Sequence, residues 1–266
     1  MTTILQERLP LAPWMEAHTL RLPGTGPIAP ADWLQRDDAF AAQMAYRDRL
    51  IATREAEVHA LLPEARAAAD ELLALALAHL AEAPGYAREA GAVTRPDGVR
   101  VALDGPPLAV AGRLAQEDFC LLDKAAGEAE HRLVGAILCL PSNWTLAQKI
   151  GRPLGRIHAP VAEYDDDIAR RVQRMFDMIR PGAPVMRGNV LVYSEGDLFN
   201  PRAEFARHRP AAGTGRFVRV ERQTILRLPE TRAVAFSIHT YMVALASLTP
   251  EQRAGLAAAR PGAFAL

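Results

Sequence analysis

Residues 216–229 read "RFVRVERQTILRLP". Side chains alternate sides along an extended chain. Val218, Val220, Arg222, Thr224, Leu226 and Leu228 therefore share one face. Arg219, Glu221, Gln223 and Arg227 fall on the other, which is expected to be wet. Two similar runs flank this one, "PVMRGNVLVYS" at 184–194 and "AVAFSIHTYMVAL" at 233–245. Earlier, "EDFCLLD" (117–123) and "HRLVGAILCLP" (131–141) form a hairpin around the polar loop "KAAGEAE". Strands that come in runs, apart from the helices, predict an antiparallel sheet and an α+β fold.

The helices predicted around these strands follow from apolar spacing. One pattern runs from "PADWLQRDD" through "EVHALL" and is bounded by Pro63; a second covers "EARAAADELLALALAHLA" and stops near Pro84-Gly85. A short helix in "SNWTLAQKI" is expected to be capped by Ser142 or Asn143. In "YDDDIARRVQRMFDMIR" Ile168, Val172, Met175, Phe176 and Ile179 line one face. The three adjacent aspartates open that helix, where capping oxygens and negative charge are favoured. A last helix begins at "TPEQRAGLAAA". Residues 1–30 are proline-rich, and "LPGTGPIAP" suggests an extended arm laid over a surface. The expected organisation is an N-terminal arm and helices over 1–90, packed on a core over 91–266, as one structural unit.

Composition narrows the function classes. The 266 residues carry 31 basic and 31 acidic side chains, so no global charge argues for a nucleic-acid partner. The longest apolar stretch, "LLALALAHLA", is too short to span a bilayer, and no membrane partner is expected. The start "MTTILQERLPLAPW" lacks the pattern of a signal peptide. Cys120 and Cys139 are too few for a disulfide framework or a four-thiolate cluster. Buried free thiols and a cytoplasmic location are expected.

Familiar motifs are absent: no H-E-x-x-H, no C-x-x-C, no phosphate-binding glycine loop. What remains is polar groups at unusual places. Arg222 is the one charge on an apolar strand face, so it is either half of a structural ion pair or a cation lining a ligand cavity. Val185, Arg187, Asn189, Leu191 and Tyr193 share a face of the preceding strand; Ser237, His239 and Tyr241 share one of the following strand. These groups mark either a common pocket or the solvent side of a half-buried sheet. Of the seven histidines, His18, His59, His79, His131 and His208 have no partner spacing. His158 differs. It sits in "IGRPLGRIHAPV" (150–161), a stretch read as an irregular loop, where Pro153 and Pro160 restrain the backbone. A ligand on a rigid support loses little entropy on binding, so His158 is either a metal ligand or a structural histidine.

Four stretches carry a family resemblance: "LPGTGPIAPADWLQRDDAFAAQ" (22–43), "LCLPSNWTLAQKIGRPLGRIHAPV" (138–161), "RVERQTILRLP" (219–229) and "FSIHTY" (236–241). Their order and spacing resemble the α-subunit-like proteins of haem-dependent oxidative N-demethylase. The resemblance implies a PAS-like antiparallel sheet with flanking helices, binding one haem b. It implies O2-dependent oxidation of a small methylated amine, as dimethylamine gives methylamine and formaldehyde in the characterised member. Electrons would come from a partner reductase with flavin and iron–sulfur groups. By this resemblance His158 is the proximal iron ligand, and Arg222 a polar group near the haem. Arg152 and Arg156 would pair with propionates or else be solvated loop arginines, and Arg187 would belong to the cofactor pocket. His239 stands where the family often has arginine, and would be a pocket residue or a second axial ligand. A haem-based gas or redox sensor without catalysis is the alternative.

Overall fold

The strand run 185–244 becomes the middle of a twisted antiparallel sheet. The computed structural model describes residues 3–16, 19, 23–161, 164–206 and 214–260; His18 and His208 lie outside the described residues. The strands are β1 (Gly26–Pro27), β2 (His59–Leu61), β3 (Ala87–Glu89), β4 (Ala92–Thr94), β5 (Arg100–Ala102), β6 (Asp118–Asp123), β7 (Arg132–Ile137), β8 (Val185–Tyr193), β9 (Phe217–Arg227) and β10 (Val234–Ala244). The helices are α1 (Phe40–Thr53), α2 (Glu55–Val58), α3 (Arg66–Ala81), α4 (Pro107–Leu114), α5 (Leu146–Lys149), α6 (Leu154–His158), α7 (Asp166–Met178) and α8 (Pro250–Ala259). The main sheet has the order β1-β8-β9-β10-β6-β7-β2, and every neighbouring pair is antiparallel. The strands β3, β4 and β5 form a small second sheet. The architecture is α+β.

Register fixes two faces. Arg222 pairs with His239 across β9 and β10, and with Gly188 on β8. The face they share also carries Val218, Val220 and Tyr241, which cluster with Leu9, Trp14 and Leu256 from the N-terminal arm and α8. The arm crosses here because Gly188 has no Cβ; one would collide with Pro13. Gln6 fastens the arm to β10, its amide donating to the Met242 carbonyl at 2.9 Å and its side-chain oxygen accepting from the Met242 amide at 2.7 Å. The opposite face carries Ile225, Val234, Ile238, Cys120 and Leu122, packed under Leu146, Leu154, Phe176 and Ile179 of the α5–α7 segment. Near the sheet's other end, α3 buries Leu72 and Ala69 in one cluster with Phe119, Leu121 and Leu226. The N-terminal helices and the sheet thus share a core.

Several expectations meet the structure differently. His59–Leu61 leaves the predicted helix to pair with β7. Helix α5 begins after Thr145, without a side-chain cap; Ser142 and Asn143 instead reach the Tyr193 hydroxyl at 2.7 and 2.9 Å. The face of β9 expected to be wet is buried: Arg219 is 1% exposed and Glu221 5%. These polar groups can leave water because they satisfy one another. The predicted cap of α7 is present, with the Asp165 carboxylate accepting from the Ile168 amide at 2.9 Å. Both cysteines are buried and free. Among the described residues no helix is long and apolar enough to cross a membrane.

Candidate functional site

His158 ends a five-residue helix rather than an irregular loop. So short a helix is not stable by itself; the strand beside it supplies the support. Gly151, at φ 74°, turns the chain back so that residues 151–154 lie along β7. The Leu133 amide donates to the Arg152 carbonyl at 3.0 Å, the Gly151 amide to Leu133 at 2.7 Å, and the Leu154 amide to His131 at 2.9 Å. A Glu130 oxygen accepts from the Gly155 amide at 2.7 Å near the start of α6. The proline restraint visible in the sequence is therefore backed by sheet-like pairing.

The ring of His158 stacks on Tyr164, with centroids 4.3 Å apart. Its Nδ1 lies 2.9 Å from the Leu154 carbonyl. A carbonyl can only accept, so Nδ1 carries the proton and Nε2 keeps its lone pair. Burial depresses the basicity of His158, and the cations Lys149 and Arg187 depress it further. Burial thus favours the neutral imidazole, and the Leu154 bond selects its tautomer, the form that ligates a metal. No cluster of three or more His, Cys, Asp or Glu side chains suited to a metal ion occurs among the described residues. The donor chemistry here fits a group that brings its own equatorial ligands and needs one protein nitrogen.

A polar row crosses the sheet face beneath this segment. Arg187 donates from Nη1 to Gln223 Oε1 at 2.7 Å and from Nε to the Pro23 carbonyl at 3.1 Å. Gln223 donates to Glu221 Oε2 at 2.9 Å, and Asn189 to the same oxygen at 3.3 Å. Arg219 Nε meets the other Glu221 oxygen at 3.0 Å and is buried against the Leu140 and Leu198 carbonyls. Of the residues expected near the cofactor, Arg187 lies on the sheet face under the α5–α7 segment, close enough for its charge to act on His158. Arg156 is engaged by Glu204, with contacts of 3.0 and 2.6 Å, while Arg152 is exposed. Two of the five Arg156 donors are thereby committed to Glu204, and the side chain is otherwise exposed.

Arg222 and His239 are not brought to His158, because their strands point them to the arm face. Arg222 is buried and donates to the carbonyls of Trp33 at 3.0 Å and Asp32 at 2.7 Å, and to Thr224 at 3.1 Å. Backbone carbonyls, rather than a carboxylate or an open cavity, take its charge. His239 is fully buried, with Nδ1 3.1 Å from Glu117 and Nε2 3.0 Å from Asp37. Both nitrogens are held by carboxylates, so neither has a lone pair to offer as a second axial ligand.

The His239 triad sets a pH dependence. Burial by itself would lower its pKa; hydrogen bonds to Asp37 and Glu117 outweigh that and raise it from 6.5 to about 9. For Asp37, burial would raise the pKa, yet the bond from His239 keeps it below its ordinary 3.8. The imidazolium therefore contributes in full below pH 6.5 and loses its contribution as pH rises through 9. Thermal melts from pH 7 to pH 10 are expected to show a loss of about 2–3 kcal/mol that His239→Gln flattens. An equally steep decline in the variant would place the cause elsewhere.

Lys149, Glu204, Glu221 and the carboxylates around His239 carry no local sequence signal. Most of their partners are far along the chain: Glu204 lies 55 residues from Lys149, and Glu117 lies 122 from His239, whereas Glu221 meets Arg219 and Gln223 within its own strand. The resemblance noted above has a matching finding across the chain. A family model described as haem-dependent oxidative N-demethylase, alpha subunit-like, matches residues 24–260.

Proposed function

The chain belongs to the haem-dependent oxidative N-demethylase, alpha-subunit-like family, and on that premise we propose that it binds haem b through His158 and oxidises a small methylated amine. The observation that carries this reading is the His158 ring, whose Nδ1 proton is committed to the Leu154 carbonyl and whose Nε2 has no hydrogen-bond partner among the described residues. The order of the five long strands, β7-β6-β10-β9-β8, with α5–α7 inserted after the first hairpin, supports a PAS-like core.

Haem, when bound, supplies an iron centre at which O2 is reduced. The rest falls to the chain. His158 would hold the haem iron through Nε2. Stacking on Tyr164 and the Leu154 bond fix the plane of its ring. Arg187, held by Gln223 and the Pro23 carbonyl, keeps a cation at the buried face opposite the α5–α7 segment. The Gln223–Glu221–Arg219 row braces it from behind. Overall, one N-methyl group, one O2, two electrons and two protons give the demethylated amine, formaldehyde and one water. The alpha-subunit-like description of the family supports an electron source in a partner protein, which we read as a flavin and iron–sulfur reductase.

The test is formaldehyde release from secondary and tertiary methylamines by haem-loaded protein with a surrogate flavin reductase. We expect turnover with the reductase and none with NADPH alone. If every methylamine is inert, while CO or O2 changes association with a partner protein, the chain is a sensor instead.

A further inference from the structure

Lys149 is a lysine inside the protein, 3% exposed. Its ammonium donates to the Ile157 carbonyl at 2.6 Å and to Glu204 Oε1 at 2.7 Å. Glu204 also takes Arg156, and its backbone amide is held by Gln148 Oε1 at 3.0 Å. One cation thus joins α5, the last turn of α6 and the 201–206 segment. Ile157 directly precedes His158, and its carbonyl is among the last four of the helix, which lack intrahelical partners. Lys149 supplies the missing donor, and its charge suits the negative end of the turn. The ring of His158 hangs from the same turn through Leu154. Its direction follows the turn.

We propose that Lys149, neutralised by Glu204, is the positioning residue that holds the His158 turn in the geometry of haem ligation. This rests on the reading of His158 as the ligand. A lysine whose only duty is stability would be exchangeable for an apolar side chain of similar length without effect on the iron. A positioning lysine would not be.

The experiment measures haem transfer to excess apomyoglobin and the ferrous iron–histidine stretch by resonance Raman. Lys149→Met is expected to lose haem about 10–100-fold faster, the range typical when a group orienting a metal ligand is removed, and to shift or broaden the stretch. Glu204→Gln, which leaves Lys149 uncompensated, is expected to move the same two readouts in the same direction, and it serves if Lys149→Met does not fold. Arg66→Gln is the control, since Arg66 is exposed and pairs with Asp70 on α3; it is expected to leave both readouts unchanged. A lowered melting temperature with unchanged haem loss and unchanged stretch would overturn the positioning role. His158→Ala, measured alongside, separates the two readings. Wild-type haem retention in that variant overturns the ligand assignment and this inference with it. Rapid loss there, with no change in Lys149→Met or Glu204→Gln, overturns the positioning role alone.

Discussion

Replacement of His158 by alanine is expected to weaken haem binding on the order of a thousand-fold, about 4 kcal/mol, and to remove the spectrum of a histidine-ligated iron. The size follows from the coordination chemistry: the described residues hold no metal-binding cluster to take over, and His239 has both nitrogens occupied. Exogenous imidazole is expected to restore part of the spectrum, because the Tyr164 ring and the Leu154 carbonyl that receive it remain. His158→Gln is the companion variant, since an amide can keep the bond to Leu154 while offering a poor iron ligand. A normal Soret band at stoichiometric haem in both variants would refute the assignment. The fold itself is expected to hold, as His158 is only partly buried.

The largest effect on stability is expected from Asp118. Its carboxylate accepts from Arg47 Nη1 at 2.6 Å and from the amides of Cys139 and Leu140 at 2.7 and 2.8 Å. Arg47 is 0% exposed and otherwise held by the carbonyls of Gly112 and Glu117. Asp118→Ala leaves a buried guanidinium without a counter-charge and two amides without acceptors. Breaking a buried pair in this way costs about 3–5 kcal/mol, which lowers the melting temperature of a chain this size by on the order of 10 °C. Arg47→Met, which removes the cation instead, is expected to cost a similar amount, because the carboxylate then stands buried with only amide donors. A change of less than about 2 °C in both variants would mean that the site relaxes or takes up water.

The central strands were legible because β9 and β10 are long, rich in branched and aromatic side chains, and bounded by turn residues. Helix α7 was legible for the same kind of reason, an apolar stripe behind an aspartate cap. The two- and three-residue strands were not. Gly26–Pro27 and His59–Leu61 are strands only because β8 and β7 offer them an edge, and that edge is made by residues far away. The polarity of Arg219, Glu221 and Gln223 was misleading in a more instructive way. Alternation identifies the face but not whether the polar groups on it have one another as partners. The same limit applies to the site. His158 stood out through its flanking prolines, but the groups that hold it reach it from 131, 133 and 204. Arg222 and His239 were visible as anomalies; which side of the sheet each faces relative to His158 emerged only with the path of the 146–179 segment.

The bond between Gln6 and Met242 joins residues 236 positions apart. During synthesis the arm waits through the making of the intervening residues before its strand exists. Until then Val218, Val220 and Trp14 have no common cover, and the sheet face they seal is open to other chains. Folding governed by such distant contacts is slow, and exposed strand surfaces in the interval favour aggregation. Recovery of soluble protein is therefore expected to depend on growth temperature and chaperone supply more than the finished core would suggest. Deleting residues 3–16 is expected to harm yield before it harms the α5–α7 segment, which packs on the other side of the sheet.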